Sequence, residues 1–111
     1  MSNRQVVSFD AVRSLGEASI GATYTAVGTP FVNPVRLIVF TNNTDGDMFF
    51  SDDGTTDMLF IPKGGFKLFD LNTNRTHIDQ YWVLPINTQW YVRYSTAPAT
   101  GAVYIECLWG Q

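Results

Sequence analysis

The chain has little charge, one cysteine and one histidine, and each shortage argues against a class of protein. Charged residues make up 15% of the 111 residues and the net charge is −3. This composition argues against a nucleic-acid binder, which needs clustered basic side chains for the phosphates. The single cysteine, Cys107, cannot form an internal disulfide. Cys107 and His77 alone also cannot complete a tetrahedral zinc site, so we expect neither a bound metal nor a cofactor.

Long apolar runs are missing as well. No stretch approaches the ~20 residues that cross a bilayer. The polar segment over residues 1–5 is not followed by the apolar stretch of a signal peptide. We therefore expect a protein that is made in a reducing cytoplasm and does not contact a membrane. Glycosylation patterns at Asn42 and Asn74 are interpreted as turn chemistry.

Short apolar runs recur along the chain, separated by Gly, Pro, Asn and Asp, which is typical of a β-sandwich or barrel. Predicted strands are Gln5–Val12, Ala22–Val27, Pro34–Thr41, Asp47–Ser51, Asp57–Ile61, Phe66–Leu71, Gln80–Leu84, Gln89–Tyr94 and Ala102–Trp109. Helix is limited to a turn or two between Asp10 and Ser19. Parallel strands need long crossovers, which are absent here. We predict one all-β domain over residues 1–111, an antiparallel jelly-roll-like β-sandwich with a short arm at residues 1–5.

Several predicted strands alternate with the period of two that separates the faces of a sheet. In the last strand one face carries Val103, Ile105, Cys107 and Trp109. The opposite face of that strand is apolar apart from Glu106. In the third strand, Val35, Leu37 and Val39 oppose Arg36, Ile38 and Phe40. Alternation of this kind predicts which side chains share a sheet face.

An acidic stretch runs from Asp45 to Asp57, and its candidate site residues are Asp45, Asp47, Asp52 and Asp53. Clustered carboxylates are the ligands that calcium prefers. The spacing lacks the glycine and the distal glutamate of an EF-hand loop. Two other interpretations remain, which are hairpin loops with exposed acids and an acidic patch that faces a basic partner.

Catalytic patterns are weak. His77 and Asp79 lie two residues apart, but no nucleophile motif accompanies them. Glu17 and Glu106 have no motif around them that would mark a carboxylate pair. We therefore expect no enzyme activity.

Aromatic residues form the second candidate site. They are Trp82, Trp90, Tyr91 and Tyr94. Flat rings on a sheet face stack on sugars, whereas rings that point inward build a core or a subunit interface. Core or interface is the favoured interpretation, and a ligand platform is the alternative.

A resemblance adds to these patterns. The stretch VRLIVFTNNTDGDMFFSDDGTTDMLFIPKGGFKLFDLNTNR resembles small jelly-roll proteins of tailed bacteriophage virions, and YVRYSTAPATGAVYIECLW is similar to their closing strands. The chain is most similar in style to the capsid decoration, or staple, proteins of short-tailed phages of the epsilon-fifteen type. That resemblance implies a jelly-roll dimer on the outer capsid surface that clamps neighbouring major capsid subunits. No functional residue of that family is matched to a residue of this chain.

The leading hypothesis is therefore a virion structural protein, a capsid decoration protein that is made in the host cytoplasm. Its expected partners are the major capsid protein and a second copy of the chain. The alternatives are a carbohydrate-binding module and another virion part, such as a tail fibre, hub or connector.

Overall fold

The computed structural model describes residues 7–71 and 84–110, and nine strands account for most of the regular structure in these ranges. The strands are β1 (Val7–Phe9), β2 (Arg13–Gly16), β3 (Thr25–Ala26), β4 (Val35–Thr44), β5 (Met48–Ser51), β6 (Leu59–Ile61), β7 (Phe66–Asp70), β8 (Tyr91–Tyr94) and β9 (Gly101–Gly110). One turn of 3-10 helix covers Glu17–Ser19. The predicted arm at residues 1–5 and most of the predicted strand Gln80–Leu84 lie outside the described residues.

The strands form two antiparallel sheets. The first sheet has the order β1-β9-β4-β7, with β2 also paired to β9, and the second has the order β3-β8-β5-β6. Strand β2 pairs with β9, β3 with β8, β4 with β7, and β5 with β6. This nested pairing is that of a long hairpin rolled into two sheets, which is how a jelly roll is built. The predicted antiparallel jelly-roll-like sandwich is confirmed.

The core lies between the two sheets. The largest fully buried side chains are Phe31, Phe40 and Phe50, and Phe40 meets Phe50 edge to face at 5.3 Å. Burying one such side chain contributes about 2 kcal/mol. Burial of these rings between the sheets therefore offsets part of the conformational entropy that the chain loses on folding.

Strand β9 alternates as its sequence predicts. Val103, Ile105 and Cys107 are buried, and Glu106 between them is exposed. Because β9 pairs with β4 on one edge and with β1 and β2 on the other, it is the central strand of the first sheet.

Strand β4 departs from simple alternation at its start. The register with β9 shifts between Val35 and Leu37, which is the position of a β-bulge. Val35 is therefore buried together with Ile38 and Phe40, rather than sharing the outward face of Leu37 and Val39.

The helical turns expected between Asp10 and Ser19 are wrong for most of that segment. Strand β2 occupies its middle, where Arg13 pairs with Ile105 and Leu15 with Val103. The 3-10 turn that follows is three residues long. Long-range pairing with β9 overrides a weak local helix preference.

A buried amide closes the far end of β4. Asn42 is fully buried, and its Nδ2 donates to Gly46 O at 2.8 Å and to Ile61 O at 3.0 Å. Its Oδ1 accepts the Thr44 hydroxyl at 2.6 Å and the Thr44 N–H at 3.1 Å. This amide belongs to the first glycosylation pattern, and it uses all its main hydrogen-bonding capacity internally. The second pattern, at Asn74, lies outside the described residues.

Candidate functional site

Two of the predicted acids close loops at the Asn42 end of the sandwich. Asp45 Oδ1 accepts the Ala99 and Thr100 N–H groups at 2.7 and 3.2 Å. Asp47 Oδ1 accepts the Lys63 N–H at 3.0 Å. The two N–H groups on Asp45 hold the pKa of its carboxyl below the usual range. These carboxylates therefore act as backbone acceptors.

Asp53 closes a different loop, which follows β5. Its Oδ1 accepts the Ser51 hydroxyl at 2.6 Å and the N–H groups of Thr55 and Thr56 at 2.8 Å. These hydrogen bonds, led by the one from Ser51, hold the pKa of Asp53 well below its usual range. Asp52 beside it is exposed.

The acidic stretch does not converge on one point. Asp45 and Asp47 precede β5, whereas Asp52 and Asp53 follow it. At about 3.3 Å per residue, β5 holds Asp47 and Asp52 roughly 16 Å apart. In residues 7–71 and 84–110, no three His, Cys, Asp or Glu side chains are grouped so that they could hold a metal ion. The stretch serves two separate loops.

The predicted aromatic residues are also divided. Trp90 and Tyr94 pack against the core on the same side as buried Val92, while Tyr91 alternates to the opposite face of β8. Trp82 lies outside the described residues, as does His77. The three described rings therefore do not share one exposed face.

The outer face of the second sheet carries a cluster that the sequence analysis missed. Arg93 Nε and Nη2 donate to the two oxygens of Asp57 at 3.0 and 2.6 Å. The Tyr24 hydroxyl donates to Asp57 Oδ1 at 2.5 Å. The Arg93 guanidinium lies 4.7 Å from the ring centre of Phe49, which lies 5.2 Å from that of Phe60.

We call Tyr24, Phe49, Asp57, Phe60 and Arg93 the arginine cluster. Its positive charge, on Arg93, is paired with its negative charge, on Asp57. Partial burial, then the hydrogen bond to Asp57, raise the pKa of Tyr24 to about 12. The hydrogen bond from Arg93 comes first among the causes that hold the pKa of Asp57 below its usual range. No local motif could have revealed the cluster, because Asp57 and Arg93 are 36 residues apart.

A third polar group is buried at the edge of the first sheet. Arg13 Nη1 lies 3.3 Å from Asp10 Oδ2, and its Nε donates to Thr29 O at 2.7 Å. The guanidinium stacks 4.8 Å from the Phe31 ring centre. Burial of the adjacent Cys107 thiol raises its pKa to about 11, so the thiol remains protonated at neutral pH and is a poor nucleophile.

An apolar gap opens between the sheets beside β6 and β7. Its volume is about 210 Å³. The residues that line it are Ile38, Phe40, Met58, Leu59, Phe69, Leu71, Leu84 and Trp90. Trp90 meets Phe40 edge to face at 4.7 Å, and its buried indole N–H has no acceptor within residues 7–71 and 84–110.

The outer face of the first sheet is largely apolar. Leu37 and Val39 alternate with buried Ile38 and Phe40, so they and the residues opposite them point outward. This outer face carries the apolar or aromatic residues Phe9, Leu37, Val39, Phe66, Leu68, Tyr104 and Leu108, together with Thr41 and the acidic residues Asp70 and Glu106. Phe9 is 82% exposed, Phe66 67% and Leu68 53%. Large exposed apolar surface of this kind marks interaction sites.

Comparison of the chain with protein-family models, with curated proteins and with solved structures finds no match in any of the three. The residues that the structure describes include no helix long and apolar enough to cross a membrane.

Proposed function

We propose that this chain is a structural protein of a bacteriophage virion, a capsid decoration protein that binds the outer capsid surface and stabilises contacts between major capsid subunits. The observation that carries the proposal is the apolar outer face of the first sheet. Three of its side chains, Phe9, Phe66 and Leu68, are more than half exposed. Such a surface on a small sandwich favours a role in protein assembly.

A decoration role requires a rigid body and repeated contacts rather than an active site. The jelly roll supplies the rigid body, because its two sheets enclose one continuous core. Many copies on a regular shell convert modest individual interfaces into strong total binding. In this proposal the apolar outer face lies on a major capsid subunit.

A dimer belongs to the same proposal. A second copy related by a two-fold axis would join through a self-complementary patch, and one dimer would then reach two capsid subunits. Sedimentation of the purified protein tests this part separately, since a monomer at micromolar concentration contradicts it.

The experiment for the decoration role is cryo-electron microscopy of purified particles from the source. We expect density for this chain over the capsid lattice, bridging neighbouring shell subunits. Density confined to the tail or portal vertex would replace the role with that of a tail fibre, hub or connector. Absence from the particle would reject the virion assignment.

A matched pair of variants tests which surface binds. Phe9→Ser removes the most exposed ring of the outer face, and we expect it to weaken binding to stripped capsids by about tenfold. Val32→Ser is the control, because Val32 is 73% exposed but precedes β4 outside that face. Equal loss in both variants would contradict the assignment of the face.

Carbohydrate binding is supported less well. Trp90 and Tyr94 pack on the core side of β8 while Tyr91 points the other way, so these rings make no common stacking surface. In the arginine cluster, the rings of Phe49 and Phe60 are tilted by 56° to each other. A glycan array with strong, selective binding would revive this alternative.

A further inference from the structure

Strand β7 has one hydrogen-bonded edge and one edge without a strand partner in the part of the chain that the structure describes. Its partner is β4 alone. Leu71 N–H donates to Arg36 O and Asn42 N–H donates to Gly65 O, each at 2.9 Å. Since an antiparallel ladder alternates, the backbone groups of Lys67 and Phe69 also point to β4, and those of Phe66 and Leu68 point away.

The apolar gap lies next to this edge. Phe69 pairs with Ile38 and lines the gap, so the inward face of β7 leads into it. Small-molecule sites usually measure roughly 300–1,000 Å³, and the gap of about 210 Å³ is smaller. Its size and its apolar lining fit one inserted side chain.

Lys67 adds a charge to the same inward face, two residues from Phe69. It pairs with Phe40 in register and is exposed. It makes no ion pair among the described residues. A partner that aligns with β7 would gain from a carboxylate opposite Lys67.

Pairing of β7 with the β7 strand of a second copy would not supply a carboxylate opposite Lys67. A two-fold axis at Leu68 would place Phe66 opposite Asp70 of the second copy and Lys67 opposite Phe69. Lys67 would not meet a carboxylate in that pairing, so the edge fits a different chain better than it fits a second copy.

We propose that β7 and the apolar gap form a docking site for an extended segment of another polypeptide, which adds a strand to the first sheet. The segment carries an apolar residue opposite Phe69, which enters the gap, and an acidic residue two positions away, opposite Lys67. Backbone hydrogen bonds to Phe66 and Leu68 provide affinity, and the gap provides specificity. The proposal rests on the proposed function only in requiring a protein partner. It does not require that partner to belong to a particular virion.

The test is a titration of the labelled full-length protein with the capped peptide Thr-Leu-Val-Glu-Val-Thr, followed by NMR. Binding should slow amide exchange at Leu68 and Phe66 and shift resonances around the gap. A peptide with Ser in place of Leu, and one with Lys in place of Glu, should each bind about tenfold more weakly. Lys67→Glu should reverse the preference between the Glu and Lys peptides.

A pair of variants at one position isolates the backbone contribution. Leu68→Pro removes an N–H that points away from β4, so the fold should tolerate it, but the peptide should no longer bind. Leu68→Ala keeps that N–H and should retain binding. The exchange of core amides, such as that of Ile105, confirms that both variants are folded.

Three results would overturn the proposal. These are failure of the Glu peptide to bind at millimolar concentration, binding that leaves Leu68 exchange unchanged, and binding that ignores Lys67→Glu. Protection of Leu68 that grows with protein concentration alone would make a second copy the occupant. Absence of the protein from virions would reject the decoration role and leave the peptide result unaffected.

Discussion

Strand β4 connects two regions that differ in how closely they are packed and in how fully their buried polar groups are hydrogen-bonded. At its Asn42–Thr44 end, which we call the closed end, the buried amide is fully hydrogen-bonded and the backbone of Gly46 fits directly against Thr96. Beside Ile38 and Phe40, in the middle of the strand, lies the apolar gap, where the indole N–H of Trp90 has no acceptor in the part of the chain that the structure describes.

This difference separates stability from binding. The closed end has matched polar groups and close backbone contact, so a substitution there has little room to relax. The gap has unfilled volume and adjoins the edge of β7 that has no strand partner among the described residues, so it tolerates change and can receive a side chain. We expect destabilising substitutions to concentrate at the closed end.

Among substitutions at the closed end and at the gap, Gly46→Ala should have the largest effect. An added Cβ would overlap the carbonyl oxygen of Thr96, which is backbone and cannot swing away. We expect a loss of about 3 kcal/mol in the free energy of unfolding, measured by urea denaturation. Gly16→Ala is the control, because a Cβ there meets nothing within 4 Å; equal losses would mean that the closed end is not tightly packed.

Asn42→Ala should follow, with a loss of about 2–3 kcal/mol. It removes the amide donor to Ile61 O, one of the two side-chain donors to Gly46 O, and the acceptor of Thr44 N–H. Asn43→Ala changes an exposed neighbour and should remain within about 0.5 kcal/mol of the natural protein. A neutral Asn42→Ala variant would show that water replaces the amide.

Acid should destabilise the protein by a smaller amount. The folded pKa values of Asp45, Asp53 and Asp57 lie below the unfolded value. Their contribution is therefore present above about pH 4 and is lost as pH falls through the folded values. The melting temperature should be steady from about pH 7 to 5 and fall below about pH 4.

Asp45→Asn provides the matched variant for this acid effect. The amide oxygen can still accept from Ala99 and Thr100, but it does not titrate. The fall in melting temperature below pH 4 should therefore be shallower in Asp45→Asn, and an unchanged slope would remove Asp45 from the explanation.

The smallest effect should come from Trp90→Phe at the gap. The change enlarges the cavity, which costs stability, but it also removes a buried donor that has no acceptor. Since these terms oppose each other, we expect a net loss of about 1 kcal/mol or less. Phe50→Ala, in the filled part of the core, should cost about 3–5 kcal/mol; a Trp90→Phe loss of that size would mean that the gap is well packed.

The sequence predicted most of the fold but only part of the chemistry. Val103, Ile105 and Cys107 could be placed on the buried face of β9 because alternation is a local pattern. Asp45 and Asp53 accept backbone N–H groups in loops, and a loop role was one of the interpretations that the sequence left open, since short acidic side chains next to glycine commonly do this. The partners that they cap, such as Ala99, could not be predicted from nearby residues.

Other features could not be predicted locally. Strand β2 was missed because the segment around Arg13 has no alternating pattern, and its structure depends on pairing with Ile105. The aromatic residues of β8 were chosen as a group, but the pleat of the strand sends Tyr91 away from Trp90. The exposed apolar face became visible only when the registers of β1, β4, β7 and β9 were combined.

The sequence by itself determined an antiparallel all-β sandwich, because hydrophobic period, turn residues and the lack of crossover helices act over a few neighbouring positions. Only the tertiary structure decided the bulge at the start of β4, the pairing of Arg93 with Asp57, the apolar gap and the place of β7 at the end of the described part of the first sheet. Each of these depends on which distant strands become neighbours. That choice is made by packing around one shared core, where the burial of every side chain depends on all the others.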